Sequence, residues 1–317
     1  MENLIMNLNN SNLIKVLTLS DKLLTISQIP LFGEKHSPKT FTQHQLFKLM
    51  VVKTYLNMDY RRFVDYLKTS KVPEYLGMNR IPHYTTLQKF TQRQNIQKLE
   101  KFLSKFVELH GKKVRNLGAD ATGFKSTYAS EHYEKRIGRT ILKKDFIKAN
   151  FFYDLDKMLI YAVKIRKKSR HDTRDLSALF NKIKSVEFKR FYADKAYDAE
   201  WFHKLIFNSG GESRIHLKQE DIPVHRTHGR WRKHMKRRQK NSQKGKRSLC
   251  ETINSSIKRL FGSVLRAKTL TMKKVELLFK IITYNLDRLV KISKCFLQTI
   301  YLRLYFMILE QKKVLEM

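Results

Sequence analysis

Three carboxylates on separate segments of the chain are the residues whose types and positions could do chemistry. Asp120 follows an apolar run in LGADATG, Asp194 does so in FYADKAYD, and Glu251 stands on an amphipathic stretch, RSLCETINSSIKRLFG. Because acidic residues are disfavoured within strands, we expect both Asp residues at the ends of neighbouring strands, with Glu251 on an adjoining helix. Such a set can hold two divalent ions ~3.5–4 Å apart and catalyse an in-line phosphoryl displacement, and Mg²⁺ is a cation that carboxylate oxygens favour. Taken singly, each Asp has the alternative of an ordinary turn residue at a strand end.

Glu251 is flanked by two cations at helical spacing. At ~100° per residue, Arg247, Glu251 and Lys258 fall on one side of the predicted helix. The opposite side carries the apolar residues expected to pack on the sheet, namely Leu249, Ile253, Ile257 and Leu260. The alternative to a catalytic Glu251 is a solvated i,i+4 ion pair with Arg247, which contributes only ~0.2–0.5 kcal/mol.

The composition indicates a polyanion as partner. The chain has 65 Lys and Arg against 28 Asp and Glu, a formal charge of +37, while its 42% hydrophobic residues exclude a disordered basic tail. A folded protein with this excess repels itself unless a polyanion neutralises it, and nucleic acid is the usual one. An anionic membrane surface suits the pattern less well, because the positive charge runs along the whole chain and not along one amphipathic helix.

Cysteine content and apolar runs predict a reducing, cytoplasmic setting without membrane insertion. Cys250 and Cys295 can form neither a disulfide framework nor a Cys-x-x-Cys zinc site, and the first residues lack the pattern of a signal peptide. The apolar run CFLQTIYLRLYFMIL is short for a bilayer span and contains Arg303. It predicts a packing or dimerising helix, with a peripheral membrane contact as the alternative.

The N-terminal third is predicted to be helical. Residues 1 to about 35 give no clear signal, whereas residues 40–109 repeat apolar positions at helical spacing in QHQLFKLMVVKTYLN, DYRRFVDYLKTS and YTTLQKFTQR, the last with Thr85 or Thr86 as its cap. Short helices with basic exposed faces suit a DNA-binding module of the helix-turn-helix type. A small helical packing domain gives the same pattern and remains the alternative.

Strand patterns begin at Lys112. KVRNLGADATGF reads as one strand, and FIKANFFYDLDKMLIYAVKIRKKS as two strands joined by a turn at residues 154–157. Helices are predicted in DTRDLSALFNKIKS and in AEWFHKLIFNSG, which Gly210 and Gly211 close, and they alternate with strands in FKRFYADKAYD and ESRIHLKQE. A hairpin followed by alternating helices and strands predicts a mixed sheet covered by helices.

Residues 223–245 are dense in Arg and Lys. The segment has too few apolar residues to build a core element, so we predict a loop that grips phosphates, its cations having no acidic neighbours to pair with. Its candidate DNA contacts are Arg230, Arg232, Arg237 and Arg238. A solvated basic linker is the alternative, and its histidines lack the cysteine or carboxylate partners of a metal site.

The order Asp120, Asp194, Glu251 resembles the Asp-Asp-Glu triad of insertion-sequence transposases with an RNase H-like catalytic domain. The group that it resembles most is marked by Tyr-x₂-Arg-x₃-Glu-x₆-Lys around the catalytic Glu. Arg247 and Lys258 stand at those offsets from Glu251, whereas Lys244 stands where the signature has Tyr.

Two further segments carry the same resemblance, which covers about residues 40–290. ADKAYD, with Lys195 and Tyr197, resembles the motif of the second Asp, and SRHDTRD, with His171 and Asp172, resembles the segment before the following helix. Lys195 and Tyr197 either touch DNA or pack. His171 and Asp172 either border the site or, for Asp172, cap the helix.

The resemblance implies an RNase H-like mixed α/β sheet flanked by helices, with an all-α N-terminal DNA-binding domain and a helical C-terminal extension. The expected divisions are 1–110 for DNA binding, 111–290 for catalysis with the basic insertion 223–245, and 291–317 for the extension.

The implied activity is cleavage of transposon ends followed by joining of the 3′-OH to target DNA. Asp120, Asp194 and Glu251 would hold Mg²⁺, or Mn²⁺, and Arg247 and Lys258 would bind the flanking phosphates. The implied partners are double-stranded DNA and further copies of the chain, as a homodimer or higher multimer in the nucleoid. The competing functions are an RNase H-fold nuclease and a non-catalytic transposase-derived DNA-binding protein.

Overall fold

The computed structural model describes residues 11–33, 39–110, 112–126, 136, 138, 146–167, 171–218, 220–238 and 244–315. The N-terminal part is helical, as predicted. Its helices are α1 (Asn12–Ile26), α2 (Gln43–Tyr55), α3 (Tyr60–Thr69), α4 (Val72–Tyr75), α5 (Tyr84–Gln92) and α6 (Ile96–His110). Side-chain caps begin three of them: Thr42 forms a capping box with Gln45 on α2, Asp59 accepts backbone N–H bonds at the start of α3, and Asn95 does the same at the start of α6.

One helix was not predicted from the sequence, and another has a different N-cap residue from the one predicted. Helix α1 lies in the stretch that gave no clear signal, because its β-branched, Ser and Thr residues have modest helix propensity and burial of residues such as Leu17 and Leu24 stabilises it. The prediction of Thr85 or Thr86 as a cap is wrong, since α5 begins at Tyr84 with His83 in the N-cap position.

A mixed sheet forms the centre of the molecule. Its strands are β1 (Lys113–Lys125), β2 (Phe146–Asp154), β3 (Leu159–Arg166), β4 (Glu187–Ala193) and β5 (Glu212–Ile215). Within the described residues the spatial order is β3-β2-β1-β4-β5, with β1, β2 and β3 antiparallel and β4 and β5 parallel to β1. This order and these directions are RNase H-like, and the predicted hairpin and mixed sheet are confirmed.

Helices cover the sheet and continue past it. They are α7 (Thr173–Lys182), α8 (Glu200–Asn208), α9 (Arg230–Arg238), α10 (Ser248–Phe261) and α11 (Leu270–Leu315), with 3₁₀ turns at Lys195–Tyr197, Val224–Arg226 and Lys244–Arg247. Gly210, with φ +77°, ends α8 as predicted. The prediction of a loop over residues 223–245 is wrong for α9, whose Met235 is buried and whose Trp231 ring packs on Phe207 at 4.5 Å.

Helix α11 joins the helical region to the sheet. It packs on α1, α2, α6 and β3, and Phe279 on it meets Phe47 of α2, which in turn stacks on Phe102 of α6. The helix runs on through residue 291, where the extension was expected to start. No helix of the described residues is both long and apolar enough to cross a membrane.

Candidate active site

Asp120 and Asp194 lie side by side where two parallel strands separate. The hydrogen-bonded ladder between β1 and β4 ends at the pair Ala119 and Ala193. Asp120 follows Ala119, and Asp194 follows Ala193. Neighbouring strands lie ~4.8 Å apart, so the two carboxylates start from adjacent backbone positions. Asp194 comes directly after the last residue of β4, at the strand end where it was predicted, and its Oδ1 accepts the Lys195 N–H at 2.7 Å.

Asp120 does not end its strand, so that prediction is wrong. β1 continues to Lys125 because its other edge stays paired with β2, with Asp120 opposite Phe151. The chain that follows α10 also holds the end of β1, since Lys125 bonds the backbone of Ser263 and Leu265. Asp120 therefore lies in the middle of β1, at the point where the pairing with β4 ends and the pairing with β2 continues.

Helix α10 crosses this point in register with β1. Four helical residues rise ~6 Å and two strand residues ~6.6 Å, so every fourth helix residue meets every second strand residue. The contacts pair Cys250 with Gly118, Asn254 with Asp120, and Lys258 with Thr122. This matched spacing fixes the helix that carries Glu251 above the strand that carries Asp120.

The face that α10 buries is rotated from the predicted one. Ile253 and Ile257 are buried as expected, but Leu260 is 39% exposed and Leu249 is half-buried. The other buried residues are Cys250, Asn254 and Phe261. The rotation arises because Gly118 admits Cys250 closely and because Asp120 supplies a partner for the buried amide of Asn254.

Arg247 brings Glu251 and Asp194 together. Its Nη2 lies 3.0 Å from Glu251 Oε1 and 3.8 Å from Asp194 Oδ2. The i,i+4 ion pair is thus present, but the same guanidinium also lies beside Asp194, a carboxylate from outside the helix. A simple surface ion pair would not include this second carboxylate. The side chain of Glu251 is 61% exposed, whereas that of Arg247 is 35% exposed.

The charge of Asp120 is coupled to this group. Burial raises the pKa of Asp120, and the negative charge of Glu251 acts in the same direction. The Ala121 N–H, the Arg247 guanidinium and the Asn254 amide act against that rise in pKa. All three carboxylates therefore belong to one electrostatic cluster centred on Arg247.

Lys258 borders the cluster on the side of β1. Its Nζ donates to Thr122 Oγ1 at 2.6 Å and lies 5.5 Å from the centre of the Phe124 ring. Burial lowers the pKa of Lys258, while the nearby Asp120 opposes that change. The lysine is held at the edge of the site rather than extended into solvent.

The donor set suits a hard divalent cation, since carboxylate oxygens are the ligands that Mg²⁺ and Mn²⁺ prefer. Within the described residues, however, no three acidic, His or Cys side chains are gathered closely enough to hold a metal ion as they stand. The positive charge beside Asp194 and Glu251 is the Arg247 guanidinium. Metal ligation by the three carboxylates thus requires side-chain rotation, for which the exposure of Glu251 leaves room.

Residues 104–286 match the model of the transposase DDE domain family. The chain belongs to this family. Membership implies a polynucleotidyl transferase and endonuclease on DNA of the kind that generally uses divalent metals. The matched segment begins in α6 and ends in α11, so it contains the whole sheet and all three carboxylates.

Two solved structures similar to this transposase are themselves of transposases. The piggyBac transposase synaptic complex with hairpin DNA has 10% identity and a TM-score of 0.41, covering 86% of this chain and 71% of that one. The pre-cleavage Mos1 transpososome has 10% identity and a TM-score of 0.23, covering 82% of this chain and 80% of that one. A search of curated proteins finds no match.

The two further segments that carry the resemblance hold Tyr197, Asp172 and His171. Tyr197 is buried, and burial together with the charges of Asp172 and Asp120 raises its pKa well above the ordinary value. Asp172 pairs with Lys148 and, although it occupies the N-cap position of α7, makes no side-chain cap bond. His171 bonds the Thr173 hydroxyl at 2.8 Å.

The basic segment of the transposase contains one arginine that does not face solvent freely. Arg232 Nε donates to Asp198 Oδ1 at 2.7 Å, so the expectation that these cations have no acidic neighbours is wrong for Arg232. Arg230 and Arg237 are exposed. The side chain of Arg238 and residues 239–243 lie outside the described part, as does the side chain of Lys244, whose backbone opens the turn before α10.

Gly118 and Asn254 are site residues that sequence reasoning missed. Asn254 had a usable signal, being a polar residue three positions after Glu251 and one after the apolar Ile253. Gly118 had none, because a glycine before Ala-Asp in a strand has many ordinary explanations. Its role depends on the approach of Cys250 from a helix 132 positions later.

Replacing Gly118 with Ala is expected to destabilise the transposase by ~1–3 kcal/mol, as overpacking does. A Cβ there would lie 2.7 Å from Cys250 Sγ and 2.8 Å from Leu155 Cδ2. Urea unfolding of Gly118→Ala, Cys250→Ala and the double variant would measure the coupling, and we expect the double variant to recover part of the loss. Strictly additive losses would show that α10 does not press on β1 at Gly118.

Proposed function

We propose that this transposase cleaves the ends of an insertion sequence and joins the freed 3′-OH to target DNA, with Asp120, Asp194 and Glu251 as its catalytic carboxylates. The observation that carries the proposal is that one guanidinium, Arg247, lies beside Asp194 at the end of β4 and Glu251 on α10 and also interacts electrostatically with Asp120 on β1. A carboxylate from each of three elements is more than a surface ion pair needs.

The three carboxylates would hold Mg²⁺, or Mn²⁺ in its place. A bound pair of such ions would stabilise the attacking and leaving oxygens of the displacement. Asp194 offers Oδ2 for ligation because Lys195 N–H already occupies Oδ1. Glu251 would rotate in from its exposed position, and Arg247, once released, has the planar fork that binds a phosphate by two hydrogen bonds.

Exposed cations at two places would bind the DNA. On α3 and α5, Arg61, Arg62 and Lys89 are exposed, and Arg61 lies over the Tyr84 ring at 5.2 Å. We assign recognition of the terminal sequence to this helical region. Arg230 and Arg237 on α9 would grip phosphates, and Lys258 would bind a phosphate beside the carboxylates.

The direct test uses the full-length protein with Mg²⁺ and linear DNA that carries the ends of its own element, with the nicks mapped at nucleotide resolution. We expect nicks at the element boundary and, with target DNA present, joined products. Nicks spread evenly over unrelated DNA would indicate a nuclease, and binding without nicks would indicate a non-catalytic DNA-binding protein. Sedimentation of the DNA complex would show whether two or more copies act together, as we propose for a nucleoid protein that pairs two ends.

Replacing Arg230 and Arg237 with Gln is expected to flatten the salt dependence of DNA binding. Each neutralised phosphate contributes ~0.9 to the slope of log K against log salt, so two lost contacts reduce the slope by about 1.8. Fluorescence anisotropy at four or more salt concentrations would measure it on terminal and random DNA alike. Lys113→Gln is the matched control, because Lys113 is exposed, pairs with Glu187 and lies at the opposite end of β1 from the carboxylates, so it should leave the slope unchanged. An unchanged slope in the double variant would make α9 a solvated basic segment.

A further inference from the structure

A chain of hydrogen bonds leads from the interior of the sheet to Asp120. The hydroxyl of Tyr153 on β2 donates to Asn254 Oδ1 at 2.7 Å, and Asn254 Nδ2 donates to Asp120 Oδ2 at 2.9 Å. Tyr153 is fully buried and Asn254 is 5% exposed. The chain thus connects a buried hydroxyl, through one helix side chain, to a carboxylate of the proposed active site.

The direction of each bond is set by the chemistry of the groups. A carboxylate can only accept, so the amide must turn its NH₂ towards Asp120 and its oxygen towards Tyr153. The amide oxygen can only accept, so the Tyr153 hydroxyl must donate. Burial raises the pKa of Tyr153 well above its ordinary value, which keeps that donor proton in place. The amide of Asn254 therefore has one satisfied orientation.

The strand pairing explains how Tyr153 reaches α10. Tyr153 pairs with Gly118 across β1 and β2, and Gly118 shares its face of the strand with Asp120. Because Gly118 has no side chain, α10 can approach this face closely through Cys250. The tyrosine beside the glycine then lies beneath α10, with its hydroxyl at the level of Asn254.

The backbone of Asp120 is fixed, because β1 pairs with β2 at this residue and with β4 up to the preceding residue, Ala119. Rotation of the side chain is the freedom that remains to it. The bond from Asn254 removes that freedom by holding Oδ2, and the Ala121 N–H also bonds the carboxylate. An apolar residue at position 254 would pack against the sheet equally well but would leave the carboxylate free to turn.

We propose that Asn254 is a positioning residue whose amide, oriented by Tyr153, holds Asp120 in the rotamer that binds the catalytic cation. This inference rests on the proposed function, since it gives Asp120 the role of ligand. Asn254 itself touches neither substrate nor metal. Groups that orient a metal ligand typically change metal affinity or activity ~10–100-fold when removed.

The test measures Mn²⁺ binding to the full-length protein without DNA, by electron paramagnetic resonance of the free ion. For Asn254→Ala we expect the dissociation constant of the site that Asp120→Asn abolishes to rise about tenfold. For Tyr153→Phe, which keeps the ring and removes only the orienting donor, we expect about a threefold rise. In cleavage assays the Mg²⁺ concentration at half-maximal rate should rise in parallel, while the rate at saturating Mg²⁺ changes much less.

Asn285→Ala is the matched control for loss of a buried amide. Asn285 on α11 is also fully buried, and it bonds the backbone N–H and C=O of Ile160 on β3, away from the carboxylates. It should lower the unfolding temperature without changing Mn²⁺ affinity. Equal effects of Asn254→Ala and Asn285→Ala on Mn²⁺ affinity, or wild-type affinity in both Asn254→Ala and Tyr153→Phe, would overturn the positioning role. Wild-type Mn²⁺ binding by Asp120→Asn would instead overturn the proposed metal site itself.

Discussion

Glu251→Gln is expected to reduce strand cleavage by more than about 100-fold while leaving DNA binding intact. Partners that merely orient a metal ligand contribute ~10–100-fold, so loss of a ligand charge should exceed that range. Glutamine keeps the length and the hydrogen-bonding capacity of the side chain. Because Glu251 is 61% exposed, the free energy of unfolding should change by only a few tenths of a kcal/mol, as for surface pairs generally.

Glu108→Gln provides the control for this experiment. Glu108 also stands in an exposed ion pair within one helix, with Lys105 at 2.9 Å, but it lies on α6 and outside the carboxylate cluster. Cleavage rates from a single-turnover assay and affinities from anisotropy would be compared for both variants. Should Glu251→Gln cut as fast as Glu108→Gln, the pair with Arg247 would be a surface ion pair and no more.

Asp198→Asn is expected to destabilise the fold by about 3 kcal/mol, towards the lower end of the ~3–5 kcal/mol seen when one partner of a buried ion pair is removed. The carboxylate accepts from His203 Nε2 at 2.9 Å, from the Lys218 N–H at 2.9 Å and from Arg232 Nε at 2.7 Å. Asp198 is almost fully buried, whereas Arg232 is 26% exposed and can recover some hydration. This places the loss at the low end. Urea unfolding at neutral pH would measure it.

The same group gives the fold a defined acid sensitivity. Burial alone would raise the pKa of Asp198, but the bonds from His203, Lys218 and Arg232 outweigh it and bring the pKa from 3.8 down to about 2. Because the pKa of Asp198 is lowered in the folded state, its charge stabilises the protein at pH values above its ordinary pKa. That contribution is lost as the pH falls from about 4 towards 2.

Asp65→Asn is the control for Asp198→Asn, since the pair of Asp65 with Lys68 is exposed and its loss should change stability by less than ~0.5 kcal/mol. A loss for Asp198→Asn as small as that of the control would mean that α9 is not anchored through Asp198.

The sequence predicted those parts of the structure that depend on local pattern. Periodicity located the helices between residues 40 and 109 and the hairpin around residues 154–157, and the repeated Ala-Asp after apolar runs identified two carboxylates that do lie on adjacent strands. The strand continues past Asp120 for a reason that no local pattern contains. Its pairing with β4 stops while its pairing with β2 goes on, and pairing partners are tertiary information.

Two of the missed features depend on contacts between distant segments. Arg232 reads as a free cation until Asp198, 34 positions earlier, meets it. Leu260 reads as a core residue until the approach of Cys250 to Gly118 turns α10, so that Phe261 is buried instead. In both cases the chemical character of the residue was read correctly from the sequence, but the residues that surround it in the fold were not predicted.

The matched spacing of α10 on β1 also sets which changes of length the chain can absorb. Four residues of the helix and two residues of the strand have nearly the same length. A residue inserted within positions 250–258 would therefore rotate every later helix residue by ~100° and shift it ~1.5 Å along the helix axis, away from its partner on β1. A residue inserted ahead of α10 would leave these three contacts in register, because it moves no residue of the helix relative to another. The interval between Glu251 and Lys258 is therefore a dimension of the folded molecule, because both residues belong to the helix whose spacing matches that of β1.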